Sequence, residues 1–317
     1  MSKSKWRVSQ FPLVLAAALL GLTLLVVACT REVVKEVQVE KVVEKRVEVV
    51  VTPTPAAFEP GTLVGGPRTV SVSGTTALWV LPGPRRLDPN VFGTPQQPLG
   101  VEPGVGVPLE NRLTNEDGTA WTTTKNPTPF GDKATGVTGD FSLTAVDATI
   151  VDGDTTDDQV NFTANFTGPD GKEYTIRVDK VLNRGPFHNF LGGVGTNFVH
   201  HGRTGIGFKM MPQVFAYVAF WGVAELSVDG QVVATNRFIH AMLTDNVREE
   251  GYQLAFDDGV DPTRTQFHIF LPPLEVTPQG PQPSPVPTGF ILPNGKEQPF
   301  MHINFESVTL DSVETRR

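Results

Sequence analysis

VFAYVAFWGVAELSVDGQVVATNRFIHAML, residues 214–243, decides the fold. At its centre Asp229-Gly230 is a strong two-residue hairpin signal, because both central residues of a type I′ turn need positive φ. The flanks, Val214–Val228 and Gln231–Leu243, are rich in the β-branched and aromatic residues that suit a pleated, buried surface. A register set by the turn alone places Trp221 opposite Phe238, Ala219 opposite His240 and Tyr217 opposite Met242. One face of the hairpin then carries Phe215, Tyr217, Trp221, Phe238, His240 and Met242. The other carries Val214, Val218, Phe220, Ile239, Ala241 and Leu243. Both faces are apolar, so the pair must be covered on both sides, either between layers or as the wall of a closed barrel.

Working outward, NFTANFTGPDGKEYTIRVD (161–179) reads as a second hairpin, around Gly168-Pro169-Asp170-Gly171. Phe162, Ala164 and Phe166 form its apolar face with Tyr174, Ile176 and Val178, while polar residues alternate between them. Further strands are expected at QFHIFL (266–271) and FMHINFESVTL (300–310), separated by a proline-rich loop over 272–287. From Gly61 to about Thr138 the chain reads as short strands and long loops, and no packed helix of ordinary length is expected after Pro60. Residues 61–317 are therefore expected to form one all-β domain. An antiparallel β-sandwich such as a jelly roll and a lipocalin-like barrel both fit the strand pattern.

The N-terminal segment carries a different message. Lys3, Lys5 and Arg7 precede an apolar run from Phe11 to Ala28, the build of an export signal. Val26-Val27-Ala28-Cys29 resembles the lipobox of bacterial lipoproteins, with Val26 in place of the usual leucine. That resemblance implies cleavage after residue 28, lipidation of Cys29 and a cell-envelope location outside the cytoplasmic membrane. Cys29 is the sole cysteine, so an intramolecular disulfide is excluded and stability must come from a buried core. Loss of Lys3, Lys5 and Arg7 takes the formal charge from −8 to −11, which opposes binding to nucleic acid or to anionic lipid surfaces.

Residues 29–60 read as the lipidated cysteine, a stalk and a Pro-rich linker. In REVVKEVQVEKVVEKRVEVVV (31–51) Glu recurs every fourth residue from Glu32 to Glu48. Val39, Val43, Val47 and Val50 make a helical stripe, which favours a helical, self-associating stalk. The alternation of Val and Lys at odd positions also fits a strand. Thr52-Pro53-Thr54-Pro55 ends the segment, since proline lacks the amide proton of a helix interior. Similar tethers follow the lipobox in many surface lipoproteins, including the substrate-binding components of transporters. Those components are α/β proteins, and the resemblance stops at the tether.

Two sets of residues could carry function. Tyr217, Trp221, Phe238 and Met242 either fill a core or line a pocket for a small or apolar ligand. His240, His268 and His302 lie inside predicted strands, and Glu306 shares a face with His302 and Asn304. Together these could hold a divalent metal, with Glu306 as fourth ligand or general base. The adjacent His200 and His201 should point to opposite faces of an extended strand. The acidic stretches 152–158 and 257–261 lack the EF-hand spacing and read as solvated turns. Nor is LGGVGTNFVHHGRTGIG (191–207) followed by the helix a phosphate loop needs, and no Gly-x-Ser-x-Gly element supports a serine hydrolase. The leading expectation is a lipid-anchored cell-envelope protein whose β domain binds a small or apolar ligand. The alternatives are a metal-dependent enzyme or metal carrier using the strand histidines, and a structural or adhesive surface module.

Overall fold

The computed structural model describes residues 68–102, 106–148, 157–182 and 192–315. The signal segment, Cys29, the stalk and its linker lie outside the described residues, as do His188, Asp152 and Asp154.

The architecture is all-β. In chain order the strands are β1 (Arg68–Val80), β2 (Arg112–Thr114), β3 (Trp121–Thr124), β4 (Ala134–Asp147), β5 (Gln159–Thr167), β6 (Glu173–Val181) and β7 (Val194–His200). They continue as β8 (Val214–Val228), β9 (Gln231–Asn246), β10 (Asp261–Leu271), β11 (Leu274–Thr277), β12 (Gly280–Pro283) and β13 (Met301–Thr315). A four-residue helix, α1 (Pro89–Phe92), is capped by Asp88, whose carboxylate accepts from the Asn90 amide.

Eight strands close into an antiparallel barrel in the order β8, β9, β10, β13, β1, β4, β5, β6 and back to β8. The ring shuts because β8 is long enough to bond twice on one side. Its C-terminal half pairs with β6, and its N-terminal half, where β6 has stopped, pairs with β7. Its other side pairs with β9 along nearly the whole hairpin. Of the two expected architectures, the closed barrel is therefore the one formed.

Eight strands leave a lumen that side chains just fill. Here aromatic rings fill it from opposite walls. Phe141 on β4 stacks on Phe267 of β10 at 4.2 Å between centroids, and Phe162 on β5 reaches both Phe267 at 5.8 Å and Phe220 of β8 at 5.6 Å. Gly74 makes this packing possible, since a Cβ there would sit 2.5 Å from the Phe141 ring. At one end Trp79 packs edge-on against Tyr174 and Phe290, and its indole N–H donates to Gln298 Oε1 at 3.3 Å.

The outer face of β8, β9 and β10 is also apolar and needs a cover. Phe130, Met211, Val214, Val247, Leu254, Phe270 and Phe300 form a second buried cluster there. Two buried arginines tie its loops together. Arg85 donates to the carbonyls of Met210, Leu254 and Ala255, and Arg248 donates to those of Gly131 and Tyr252. Burial lowers both guanidinium pKa values to about 10.

Both predicted hairpins form. In β5–β6, Phe162, Ala164 and Phe166 face Val178, Ile176 and Tyr174, all on the lumen side. In β8–β9, Asp229 and Gly230 adopt the expected positive φ, 48° and 75°. The register differs from the expectation, however. Irregularities between Ala224 and Leu226 and between Leu226 and Ser227 place extra residues on β9, so Trp221 faces His240 and Ala219 faces Met242. A slip of two preserves which face each side chain occupies. A further bulge between Ala216 and Val218 does not, and it moves Tyr217 into the lumen cluster, away from Trp221.

Two loop expectations also change. The proline-rich stretch contains a small ribbon, β11–β12, which joins the sheet through Glu275 opposite Arg237. Within 61–138, β1 is a long strand of 13 residues, bulged between Thr75 and Ala77 where Thr76 has φ 62°.

Because Phe267 bridges opposite walls, Phe267→Ala should destabilise the protein by about 3–5 kcal/mol. Urea denaturation should show this as a lower midpoint at unchanged slope. A loss under about 1 kcal/mol would mean that the lumen is not close-packed around this ring.

Candidate metal centre

The site is built where β7 ends. Residues 194–200 run along β8 until His200 pairs with Val214, and there the chain turns sharply. His201 has φ 63° and ψ −169°, a backbone state that non-glycine residues rarely adopt. This conformation breaks the alternation of the strand. Instead of pointing to opposite faces, the rings of His200 and His201 lie together, 3.8 Å between centroids.

The following loop holds that turn in place. The His201 amide donates to Ile206 O, Thr204 Oγ1 donates to His201 O, and the Phe208 amide donates to His201 Nδ1 at 3.1 Å. Gly207 closes over the two imidazoles. A Cβ there would lie 2.5 Å from His201 Nδ1 and 2.8 Å from His200 Cε1, so glycine is the residue that fits.

The third member comes from β9. His240 projects from the outer face of the barrel beside Trp221, whose ring stacks on it at 4.5 Å and 13°. His240 lies 5.3 Å from His200 and 6.1 Å from His201 between ring centroids. Each of these three histidines offers a nitrogen within 4.8 Å of the others, and their exposures are 0 %, 2 % and 7 %. His240 Nδ1 sits 3.0 Å from Phe220 O; a carbonyl only accepts, so Nδ1 carries the proton and Nε2 is the acceptor nitrogen of the neutral ring.

Such a cluster suits a first-row transition metal, since neutral imidazole is a ligand for zinc, copper, nickel and iron. Among the described residues it is the convergent set of metal-ligating side chains, and it only partly overlaps the set expected from sequence. His240 belongs to it. His268 and His302 lie on the next two strands, β10 and β13, on the same outer face, with His268 Nδ1 3.3 Å from His302 Nε2. Glu306 is half-buried near Arg248 and outside the group. His200 and His201 complete the set through the backbone reversal at His201.

The four aromatic and thioether candidates do not line one pocket. Trp221, Phe238 and Met242 cluster with Ala219 on the outer face, under Leu182, Phe198, Leu274 and Val276. Tyr217 belongs to the lumen cluster, and its hydroxyl donates to Asp245 at 2.9 Å. Burial raises both the Tyr217 hydroxyl and the Asp245 carboxyl. In the second acidic stretch, Asp257 accepts from the Gln213 amide and Asp261 from Thr263 and Arg264, the bonding of structural turns.

The chain matches no protein-family model, no curated protein and no solved structure.

His302 is buried, and desolvation, with the nearby Arg248 charge, lowers its pKa from 6.5 to about 3. The native state thus refuses a proton that the unfolded chain accepts between these values. Its contribution to stability is complete above pH 6.5 and is lost as pH falls toward 3. Thermal midpoints of metal-free protein should fall steadily from pH 6.5 downward, and His302→Phe should flatten part of that slope. An identical slope in the variant would show that His302 is not the group being titrated.

Proposed function

We propose that this protein is a lipid-anchored cell-envelope protein that binds a transition-metal ion at His200, His201 and His240. The observation that carries this reading is the convergence of three buried imidazoles within 4.8 Å, at a strained backbone turn, beneath a glycine that leaves room for them. Strain of this kind costs about 1–3 kcal/mol and persists where the surrounding structure over-determines it, which is common at functional sites.

An eight-stranded barrel is compatible with ligand binding, and the leading expectation from sequence places a small or apolar ligand in the β domain. The packing favours the metal instead, because Phe141, Phe162, Phe220 and Phe267 meet across the lumen where such a ligand would sit. The burial of all three imidazoles suits holding an ion more than admitting a bulky substrate. The envelope address rests on the lipobox-like Val26–Cys29 and on the basic and apolar segments before it. A lipid at Cys29 would hold the protein to a membrane while the acidic mature chain stays in the aqueous phase.

The test is metal uptake by the full chain, purified in detergent without a metal-binding tag, stripped with chelator and titrated with zinc or copper. About one equivalent should bind, and excess metal at 100 times Kd should stabilise the fold by about 2.7 kcal/mol. His200→Ala and His240→Ala should each weaken binding by more than the roughly 10–100-fold typical of losing an outer-shell partner. A folded protein that takes up neither metal would remove this reading.

A further inference from the structure

The remaining pair of barrel histidines has a polarity that can be read from one end. His302 Nδ1 lies 2.7 Å from the carbonyl oxygen of Pro129. A carbonyl only accepts, so His302 Nδ1 carries the proton, and in the neutral ring Nε2 bears the lone pair. That Nε2 lies 3.3 Å from His268 Nδ1, which must therefore be the donor. His268 Nε2 is left with its lone pair. His240 also gives its Nδ1 proton to a carbonyl, that of Phe220. A ring N–H given to a backbone carbonyl or a relay is the outer-shell pattern of metal-ligating histidines.

Topology says where the bare nitrogen faces. Strand β10 lies between β9 and β13, where Phe270 is directly opposite both His240 and His302 and His268, two residues away, is the diagonal neighbour of each. Its two ring nitrogens lie on different edges of the imidazole. With Nδ1 directed at His302, Nε2 turns toward the β9 side. The His268 and His240 rings are 6.2 Å apart, nearly the separation of His201 from His240, 6.1 Å.

On the reading that His200, His201 and His240 hold a metal, we infer that His268 Nε2 is the fourth nitrogen donor of that centre. His302 is its positioning residue, with the Pro129 carbonyl as the fixed end of the relay. The ligand class is a tetrahedral transition-metal ion such as zinc. His268 lies outside the 4.8 Å convergence of the other three, so in this arrangement the turn carrying His200 and His201 closes toward β10 around the ion while the His268–His302 bond is kept. Glu306 and His302 supply no ligand atom in this arrangement. The relay also gives a reason for keeping three costly imidazoles in a row on the outer barrel wall, since a polar group buried without partners is destabilising.

Cobalt(II) reports the coordination directly, because its visible absorption depends on ligand number and geometry. The full chain should be titrated with cobalt and zinc as wild type, His268→Gln, His302→Leu and His302→Gln, with folding checked by circular dichroism. Expected are a changed cobalt spectrum in His268→Gln and zinc binding about 10–100-fold weaker in His302→Leu. His302→Gln should recover most of that loss, since an amide can accept from His268 Nδ1 and donate to Pro129 O. Wild-type binding with an unchanged spectrum and affinity in His268→Gln overturns this inference and leaves the three-histidine site standing. No uptake by the wild type removes both. Should His268→Gln fail to fold, the His302 pair decides, and equal affinity in His302→Leu and His302→Gln overturns the relay.

Discussion

The pairing of β8 with β9 is the contact on which the rest of the molecule depends. It turns a row of seven antiparallel junctions into a ring, because β8 meets β6 and β7 on one side and β9 on the other. Closure removes the exposed edges of the eight barrel strands, and it also fixes two faces with different fates. The inner face has to be filled, and phenylalanine rings from opposite walls fill it. The outer face of β8 to β10 is just as apolar, so β7 and the loops around Phe130, Met211 and Leu254 must fold back over it.

That second layer creates the unusual chemistry. Covering an apolar face is simple when the cover is apolar too, yet here it encloses His200, His201, His240, His268, His302, Arg85 and Arg248. Burying such groups is unfavourable unless they are hydrogen-bonded. The arginines achieve this by collecting loop carbonyls, which makes them the fasteners of the cover. His240 and His302 bond to the carbonyls of Phe220 and Pro129. The histidines thus differ from the arginines in kind. The arginines direct several donors at the backbone, whereas these imidazoles use one nitrogen for a carbonyl and keep the other for a different partner.

The fold was largely legible in the sequence because its signals are local. Asp229-Gly230 and the Gly168–Gly171 turn specify hairpins through backbone conformations available within a few residues, and strict alternation marks the half-buried pairs. The choice of barrel over sandwich was not legible, since it depends on which distant strands meet. The register of β8 against β9 was hidden for a related reason. Its bulges lie in ordinary strand sequence, where nothing but packing against the neighbours selects the extra residue. The candidate site divides the same way. His240, His268 and His302 could be placed on strands and do come to neighbouring strands, but their order around the ring is topological. His200 and His201 point to opposite faces only where an extended strand runs through both. The glycines at 202, 205 and 207 were the available sign that it stops.

The inside of an eight-stranded barrel is either filled by side chains or left to hold one small ligand. The large rings at Phe141, Phe162 and Phe267 commit the lumen to stability, leaving the outer wall for function. There, side chains two apart on one strand share a face, and adjacent strands bring such rows within reach of one another. His240 and His268 use that geometry, and β7 brings His200 and His201 over it from outside the ring. A rigid strand row supplies one side of the centre and a glycine-rich turn the other. In the proposed centre the wall would set the ion's geometry, while the turn, where His201 bonds to Ile206, Thr204 and Phe208 of its own loop, would be the part that adjusts to the ion.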